Sequence, residues 1–546
     1  MEKRLKGNNA IKKGDYKTAR DEYTKGLLET PKDPALWCNR SLAFLKEGYP
    51  ELALVDALRA IVLLEKKMSE VITMLAGDET KSSGKEEFKI VSFSKDSWGT
   101  ENLVEIGKEK LSCTSSQNKN CKDSHEKEND SANMEKIVQM LFKAFYRQAV
   151  AYSKLEIWYR AIESCNNFLT MQKNIEKYSI SISNIDCLQL RSHCEKKHAE
   201  FTKKNPECVN FYHGVMKYKN GYPWDRSQEN RDSEELFENL KIQIETLSDM
   251  KISLTRVEFG KSSNSTTSSP KKIQYGIEAL QAISAECIIM EETAFLNVHN
   301  RFVSRCDYCN LPLADPKDNT MVFYECPETG CKEVYCDIEC WQLASNEFHK
   351  PLCGKDITPI LEITQNERST GSLNFLFFLK IFAIAKIRGI SPLDIDELKH
   401  LVRYRPIHGK LIYQHIWTSM YTYTLGILEI SPFDVRFDFW MYLECIHMTR
   451  CNVFAATDDQ GRPDCASCYS LMSLVNHDCS PNAFIIDHEL TAAREIEKGE
   501  PVTISYIDDG DGDDDGDRQS QFANVFGFTC TCDRCQQLHV DEKNIK

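Results

Sequence analysis

Three cysteines near the carboxyl end of the chain are separated by only one and two residues. They are Cys530, Cys532 and Cys535. Three thiolates on one tight turn are one ligand short of the four that a closed tetrahedral zinc site requires. Cys479 is the predicted fourth ligand, and a shared zinc ion would attach the end of the chain to the segment Asn476 to Asn482. Tyr506 lies between these two parts of the sequence and would be drawn into the same volume.

Eight further residues with soft ligand atoms lie between Cys306 and Cys353, and they come in closely spaced pairs. The pairs are Cys306/Cys309, Cys326/Cys331, Cys336/Cys340 and His349/Cys353. Short gaps of this kind within a pair are typical of structural zinc sites. The sequence therefore predicts two zinc ions here, in addition to the one at the carboxyl end.

Cysteine usage and the amino terminus bear on the cellular compartment. The chain contains 23 cysteines, and it opens with charged and polar residues rather than the apolar segment of a secretory signal. In a reducing compartment cysteine clusters bind metal rather than form disulfides, so we expect a protein of the cytoplasm, the nucleus or both. Cys465 and Cys468 form a pair with no second pair nearby, and we expect two buried or half-buried thiols there.

The charge balance limits the partners. The formal net charge is −14 at pH 7, so we expect no direct nucleic-acid binding, and a basic peptide is the better partner. The most apolar run, Leu373 to Ile387, is interrupted by two lysines and is shorter than the about 20 residues of a membrane span. It predicts a core helix and no membrane partner.

Residues 4 to 65 repeat with a period of 34, which is the tetratricopeptide period. Small residues recur at this offset, where two helices of a hairpin must approach closely. The pairs are Gly14 and Gly48, Ala19 and Ala53, and Gly26 and Ala60. Residues 77 to 131 are rich in charged and polar residues and predict a disordered insertion. A third match to the repeat follows at Ala149, Leu155, Tyr159 and Ala161.

The segments at the carboxyl end resemble the SET-domain protein lysine methyltransferases. In that family an N-H-x-C-x-P-N segment, a tyrosine shortly after it and a C-x-C-x-x-C tail surround S-adenosylmethionine. The paired ligands resemble a MYND finger, in which the two zinc sites are interleaved. The implied ligands are Cys306, Cys309, Cys336 and Cys340 for one ion and Cys326, Cys331, His349 and Cys353 for the other. With the preceding repeats, this order is similar to the SET and MYND domain family, in the subgroup with amino-terminal tetratricopeptide repeats.

The resemblance implies an α+β fold, in which a β-rich SET domain carries an inserted MYND zinc finger and a helical insert and follows an all-α repeat module. The implied divisions are repeats 1 and 2 at 1–69, a disordered insertion at 70–133, a third repeat and further helices at 134–250, the first part of the SET domain at 251–303, the MYND finger at 304–353, the helical insert at 354–450, the SET core at 451–508, an acidic loop at 509–520 and the zinc tail at 521–546. We expect the acidic loop to be solvated or to attract a basic substrate tail.

The resemblance also implies the residues of a methyl-transfer site. Tyr506 would orient the methyl group and the incoming nitrogen. The residues implied to contact S-adenosylmethionine are Gly276, Asn452, Asn476, His477, Tyr506 and Phe528. Phe454 and Phe528 would form the walls of an apolar channel that keeps the substrate lysine uncharged. Gly276 lies in Gln274 to Ala279, which matches the family's G-x-G-[LI]-x-A turn except that Gln274 replaces the first glycine.

Polar residues of the repeats resemble the two-carboxylate clamp of chaperone-binding tetratricopeptide domains. The matching positions are Arg4, Asn8, Asn39, Lys143 and Arg147. A C-terminal carboxylate and a neighbouring acidic side chain need several charge-assisted donors on one face, so a heat-shock chaperone peptide is an expected partner. Simple solvated charges are the alternative. Two functions stay open: methylation of protein lysines, and a non-catalytic adaptor or transcriptional regulator that binds peptides through its MYND and tetratricopeptide modules.

Overall fold

A computed structural model describes residues 2–75, 124–176, 184–205, 213–216, 221–226, 233–259, 272–300, 305–313, 323–358, 360–362, 373–403, 411–457, 463–486, 488–507 and 515–536. The chain divides into two compact units. The first consists of Met1–Tyr218 with Lys410–Trp440, and the second of Lys219–Gly409 with Met441–Lys546. Within the described ranges, no helix is long and apolar enough to cross a membrane.

Helices that pack against their neighbours in chain order form most of the first unit. They are α1 Glu2–Lys12, α2 Tyr16–Glu29, α3 Pro34–Glu47, α4 Pro50–Leu75, α5 Ser124–Lys154, α6 Trp158–Glu176 and α7 Ile185–Lys204. The helix His415–Ile427 also belongs to this unit, as does an antiparallel pair of strands, His213–Met216 and Leu411–Gln414. That pair departs from the purely helical structure that we expected for residues 134–250.

Short sequence signals set the ends of these helices. Asp15 accepts a hydrogen bond from the N–H of Thr18 at 3.0 Å, and Asp33 accepts one from the N–H of Ala35 at 2.9 Å. These side chains satisfy backbone donors that have no partner in the first turn of a helix. Gly48 ends α3 with a φ of 94°, a left-handed conformation that glycine adopts without steric cost.

Small residues lie where helices of the first unit meet. Ala19, Ala53 and Ala60 are fully buried. A Cβ atom at Gly26 would lie 3.1 Å from the side chain of Leu36, which is tighter than ordinary van der Waals contact. The close helix contacts predicted from the repeat are therefore present at these positions.

The predicted insertion at 70–133 is too long at both ends. Helix α4 continues to Leu75 and α5 begins at Ser124, whereas residues 76–123 lie outside the described part of the chain. Val71 is buried in the core of the first unit. The helix therefore extends beyond residue 70, where the insertion was expected to begin, because its apolar face is still covered.

Lys410–Trp440 belongs to the first unit, whereas we expected it to be part of a continuous helical insert at 354–450. The buried Asp438 accepts hydrogen bonds from Arg40 at 2.8 Å and from Arg59 at 2.6 Å. Asp56 accepts a further bond from Arg40 at 2.7 Å. A buried charge without its partner is strongly destabilising, so this network holds the segment against α3 and α4.

The second unit contains four small β-sheets and five α-helices among its described residues. The strands are β1 Ile252–Phe259, β2 Lys272–Ala279, β3 Ile288–Glu291, β4 Leu296–His299, β5 Tyr324–Glu325, β6 Val334–Tyr335, β7 Val453–Thr457, β8 Pro463–Cys468, β9 Asn476–His477, β10 Ala483–Ile486, β11 Glu489–Ala492 and β12 Pro501–Ile504. The sheet orders are β9-β12-β2-β1, β4-β8-β7, β10-β11-β3 and β5-β6. The helices are α8 Glu234–Leu247, α9 Ile338–Ala344, α10 Asn374–Arg388, α11 Phe439–Asn452 and α12 Asp515–Gln521.

Residues 274–279 lie in strand β2, which corrects the turn that we expected from the resemblance. Gly276 pairs with Thr255 and Gln274 with Val257 in an unbroken antiparallel register. The alternate side chains of Tyr275, Ile277 and Ala279 are buried, as expected for the core-facing side of a strand, and Gly276 between them is buried as well. Gln274 therefore occupies a regular strand position, which does not require glycine.

The apolar run predicted as a core helix is helix α10, in which every residue from Phe375 to Ala385 is buried. The acidic loop expected at 509–520 is too long, because α12 begins at Asp515. Residues 508–514 lie outside the described part of the chain. The side chains of Arg518 and Phe522 are buried, so the segment from Asp515 is packed against the protein and is not part of a solvated loop.

Candidate active site and metal clusters

The cysteines at the carboxyl end converge with Cys479. The four sulfur atoms of Cys479, Cys530, Cys532 and Cys535 lie within 4.8 Å of one another. Four thiolates at such distances match the donor set of a closed tetrahedral zinc site. Burial raises the pKa of Cys535 to about 12. Four thiolates this close repel one another, so a bound cation would favour their charged form.

His477 connects this cluster with Tyr506. The backbone N–H of Tyr506 donates to Nδ1 of His477 at 3.1 Å, and Nε2 of His477 lies 3.2 Å from Sγ of Cys479. Because Nδ1 accepts a hydrogen bond, the proton of the neutral ring is on Nε2, which then donates to the Cys479 sulfur. The ring also packs 4.4 Å from the ring of Phe522. His477 therefore braces the metal cluster against the segment that carries Tyr506.

Tyr506 lies among aromatic side chains. Its ring centroid is 5.1 Å from that of Phe526 and 6.3 Å from that of Phe528. The hydroxyl donates to the carbonyl of Val475 at 2.7 Å. Burial raises the pKa of Tyr506, and the nearby Cys451 thiol adds to this effect. The hydroxyl is therefore neutral at physiological pH and can orient a substrate, but it cannot act as a general base.

Gly276 lies directly against Asn476. A Cβ atom at Gly276 would lie 2.6 Å from a methyl of Val257 and 2.9 Å from Nδ2 of Asn476. The same Nδ2 donates to the carbonyl of Tyr275 at 3.1 Å. Strand β9, which contains Asn476, pairs in parallel with β12 beside β2. Glycine is needed here for close side-chain approach rather than for backbone conformation.

Asn452 and Phe454, at the junction of α11 and β7, lie in different surroundings. Asn452 is 3% exposed, and its Nδ2 donates to the carbonyls of Val402 and Met448, both at 2.7 Å. Only its Oδ1 is left for the cofactor contact that the sequence suggested. The half-buried Phe454 ring meets Tyr469 edge to face at 5.5 Å.

Glu292 was missed by sequence reasoning. Its carboxylate accepts hydrogen bonds from three consecutive backbone N–H groups, those of Ser470 at 2.9 Å, Leu471 at 2.9 Å and Met472 at 2.7 Å. Burial raises the pKa of Glu292, although these three donors oppose the shift. The bonds fix the segment that leads to Val475 and Asn476. The sequence signal was an acidic residue at the end of an apolar strand, which is too common to be specific.

The two interleaved ligand sets of the finger are each brought together. The first set is Cys306, Cys309, Cys336 and Cys340, and the second is Cys326, Cys331, His349 and Cys353. Within each set the ligand atoms lie within 4.8 Å of one another. The Sγ atoms of Cys309 and Cys336 are 3.3 Å apart, and Nε2 of His349 lies 3.3 Å from Sγ of Cys326. Both sets can hold a tetrahedral metal ion.

Lys380 fastens the finger to strand β4 and was also missed. Its Nζ donates to the carbonyls of Asn297 and Asp307, both at 2.8 Å, and to the Asp307 carboxylate at 3.1 Å. It also lies 4.2 Å from the ring centroid of Phe348, next to the ligand His349. In the sequence, Lys380 was only an interruption of an apolar helix. The structure makes it a satisfied buried cation beside the finger.

Cys465 and Cys468 are half-buried and buried, as expected, and they are not among the metal-binding groups of the described residues. Both lie in strand β8. Residues three apart in a strand point to opposite faces, so the two thiols cannot hold the same ion. Burial raises the pKa of Cys468 to about 12.

The proposed clamp positions are partly brought together in the first unit. Nδ2 of Asn39 donates to Oδ1 of Asn8 at 3.0 Å. Arg147 donates to the backbone carbonyl and the sulfur of Cys38, the neighbour of Asn39. Burial raises the pKa of Cys38, and the charges of Arg147 and Lys143 oppose this shift. The half-buried Arg4 pairs with Asp33 at 3.6 Å.

Comparisons with known proteins find one family model and several related sequences. Residues 274–507 match the SET domain family model. A SET and MYND domain-containing protein of Dictyostelium discoideum is 27% identical over 45% of this chain and 76% of its own length. The histone-lysine N-methyltransferase ASHR1 of Arabidopsis thaliana is 26% identical, over 46% of this chain and 50% of its own. The histone-lysine N-methyltransferase SMYD3 of Mus musculus is 37% identical, over 21% and 27%. The chain thus spans about half or less of the latter two.

Proposed function

Because the chain carries a SET domain and belongs to the SET and MYND domain family, we propose that it transfers methyl groups from S-adenosylmethionine to lysine side chains of proteins. The observation that supports this most directly is the contact of His477 with both Tyr506 and Cys479. His477 thus links its own segment to Tyr506, and Cys479 of the same segment lies among the cysteines of the tail. Two of the relatives are named histone-lysine methyltransferases, so histones are the first substrates to test.

The chemistry requires a neutral lysine and an aligned methyl donor. A lysine amine has a pKa of about 10.4 in water, so about one molecule in 10³ is neutral at pH 7. An apolar channel lowers that pKa by desolvation, and Phe454 and Phe528 are the proposed walls. S-adenosylmethionine supplies the electrophilic methyl group on its sulfonium. The neutral Tyr506 hydroxyl orients the reacting groups rather than moving a proton.

The residues around Tyr506 suit a sulfonium cofactor. Tyr506 and Phe528 meet edge to face with centroids 6.3 Å apart, and an aromatic face attracts a cation placed over it. Asn476 and His477 would hold the cofactor through their main chain, with Gly276, Phe528 and the Oδ1 of Asn452 as further contacts.

The three cysteine-rich clusters would hold zinc with a structural role. Each offers four ligands, which leaves no open position for catalysis. The cluster at Cys479 would keep the tail, including Phe528, against the cofactor segment. The finger at 304–353 would present a separate peptide-binding module.

The helices α1–α6 of the first unit are proposed to be tetratricopeptide repeats. Asn8, Asn39, Lys143 and Arg147 are proposed to bind the acidic C-terminal peptide of a heat-shock chaperone, and we propose that the protein acts in the cytoplasm, the nucleus or both. Asn8 and Asn39 are hydrogen-bonded to each other, and Arg147 contacts Cys38, the residue before Asn39. These contacts support a shared polar face. Arg4 is proposed as the fifth residue of this set, because its ion pair with Asp33 is partly exposed and such pairs contribute little.

Methyl transfer is tested with labelled S-adenosylmethionine, core histones and cell extract. The purified full chain is compared with Tyr506→Phe, which removes only the hydroxyl bonded to Val475. We expect wild-type transfer and a loss of about 10²-fold in the variant, as for other groups that stabilise a transition state electrostatically. Absence of transfer by the wild type, with confirmed folding and three zinc ions per chain, would exclude the enzyme function.

A further inference from the structure

A line of hydrogen bonds runs from a finger ligand to the core of the SET domain. The hydroxyl of Tyr469 lies 2.9 Å from Nδ1 of His488, and Nε2 of His488 lies 3.3 Å from the carbonyl of Cys309. A carbonyl only accepts, so Nε2 carries the ring proton in the neutral tautomer. Nδ1 is then the acceptor for the Tyr469 hydroxyl. One tautomer thus satisfies both contacts.

The backbone next to Tyr469 is fixed independently of this line. Glu292 accepts hydrogen bonds from the three following N–H groups, Ser470 to Met472. The hydroxyl of Ser473 donates to the carbonyl of Tyr469 at 2.6 Å. Tyr469 is 4% exposed. With its main chain held and its ring buried, the ring position depends on the groups that contact it.

Two rings contact Tyr469 from different elements. His488 lies at 5.7 Å between centroids, and Phe454 lies at 5.5 Å with an interplanar angle of 75°. Phe454 is the proposed wall of the lysine channel. Tyr469 is therefore placed between a residue held by the finger and a residue that would meet the substrate.

His488 has a backbone conformation that is uncommon for a residue with a side chain. Its φ is 76°, and it lies directly before strand β11. Its carbonyl accepts a hydrogen bond from the N–H of Glu292 at 3.0 Å. Such conformations persist where the surroundings determine them strongly. Here His488 is held by the contacts of its ring with Tyr469 and Cys309, by the hydrogen bond of its carbonyl with Glu292, and by its place between the paired strands β10 and β11.

We propose that His488 is a positioning residue for lysine methylation, which sets Phe454 through Tyr469 and takes its own position from the Cys309 turn of the finger. The inference rests on the proposed function, because Phe454 matters only if a lysine enters beside it. If a bound metal orders the turn at Cys309, it would keep His488 and Tyr469 in place, and thereby Phe454 at the wall of the lysine channel.

The test uses the zinc-loaded full chain with core histones as the probe. The variants are His488→Ala, Tyr469→Phe and His488→Asn, with the exposed His193→Ala of the first unit as a control. We expect kcat/KM for histone to fall about tenfold in the first two, since misplacement of about 1 Å costs up to 10²-fold. The affinity for S-adenosylmethionine and the zinc content should stay within twofold of wild type. In the His488→Asn variant, asparagine tolerates the positive φ and keeps a polar group near Tyr469. Its side chain is too short to reach the carbonyl of Cys309, so this variant should recover only part of the kcat/KM that His488→Ala loses.

Two results of this test would overturn the inference. One is a Tyr469→Phe variant as active as wild type, and the other is a loss of zinc and cofactor binding in parallel with activity, which marks a merely structural role. If the wild type does not methylate histones, the proposed function fails separately. The ¹⁹F spectrum of fluorotyrosine-labelled protein then decides, because the Tyr469 signal, identified by its absence in Tyr469→Phe, should shift in His488→Ala and in Phe454→Ala. An unshifted signal in either variant would overturn the positioning role.

Discussion

Nε2 of His477 lies 3.2 Å from Sγ of Cys479, while Nδ1 of the same ring accepts the backbone N–H of Tyr506. One imidazole thus connects a metal ligand with the residue proposed to orient the methyl transfer. Side chains that hydrogen-bond to metal ligands tune the affinity for the metal. A change at the tail cluster should therefore also affect the position of Tyr506, and the reverse.

Cys479→Ser should disable the site from a distance. The zinc content should fall from three to two per chain, because serine is a poor zinc ligand and the tail cluster then keeps only three sulfur ligands. Methyl transfer should be lost although Tyr506 is chemically intact. Metal analysis and methylation assays check this, with Cys287→Ser as the matched control, since Cys287 is half-buried and belongs to no described cluster. Full activity with two zinc ions would contradict it.

Gly276→Ala should disturb cofactor binding through Asn476. The new Cβ would lie 2.6 Å from Val257 and 2.9 Å from Asn476, and overpacking of this kind costs about 1–3 kcal/mol of stability. Calorimetric titration of S-adenosylmethionine and thermal denaturation measure the two effects. The double variant Gly276→Ala, Val257→Ala should recover stability but not affinity, since only the clash with Val257 is relieved. Recovery of both would show that Asn476 is not involved.

Glu292→Gln should change how stability depends on pH. Burial raises the pKa of Glu292 above its ordinary value of 4.5, so in the window above 4.5 the folded state binds more protons than the unfolded state. Stability from this group is therefore present at low pH and is lost as pH rises through the folded-state pKa. Glutamine does not titrate, so the variant should lack this component. Urea unfolding between pH 4.5 and 7 measures it, and identical pH profiles would contradict the assignment.

Lys143→Ala should weaken binding of an acidic chaperone C-terminal peptide by about five- to tenfold, because a charge-assisted hydrogen bond is worth about 1–1.5 kcal/mol. Lys46→Ala is the matched control, since Lys46 is exposed in the last turn of α3 and outside the proposed face. Fluorescence anisotropy with a labelled peptide gives both affinities. Equal affinity of the two variants would remove Lys143 from the site.

The sequence determined the features that depend on neighbouring residues. The three clusters of metal-ligand residues could be predicted because chelating pairs are close in sequence, and the interleaving followed from the family resemblance. The core helix α10 was recognisable from one uninterrupted apolar run. Helix contacts at Ala19, Ala53 and Ala60 followed from the repeat of small residues.

Only the tertiary structure decided what depends on burial and on distant partners. Lys380 and Glu292 are polar residues whose roles arise from backbone groups that lie far away in sequence. Gly276 looked like a turn residue, yet it is a strand residue that makes room for Asn476, 200 residues later. Asp438 joins the first unit because two buried arginines need its charge. A local pattern fixes which groups a segment offers, but their desolvation and pairing are set by the folded surroundings.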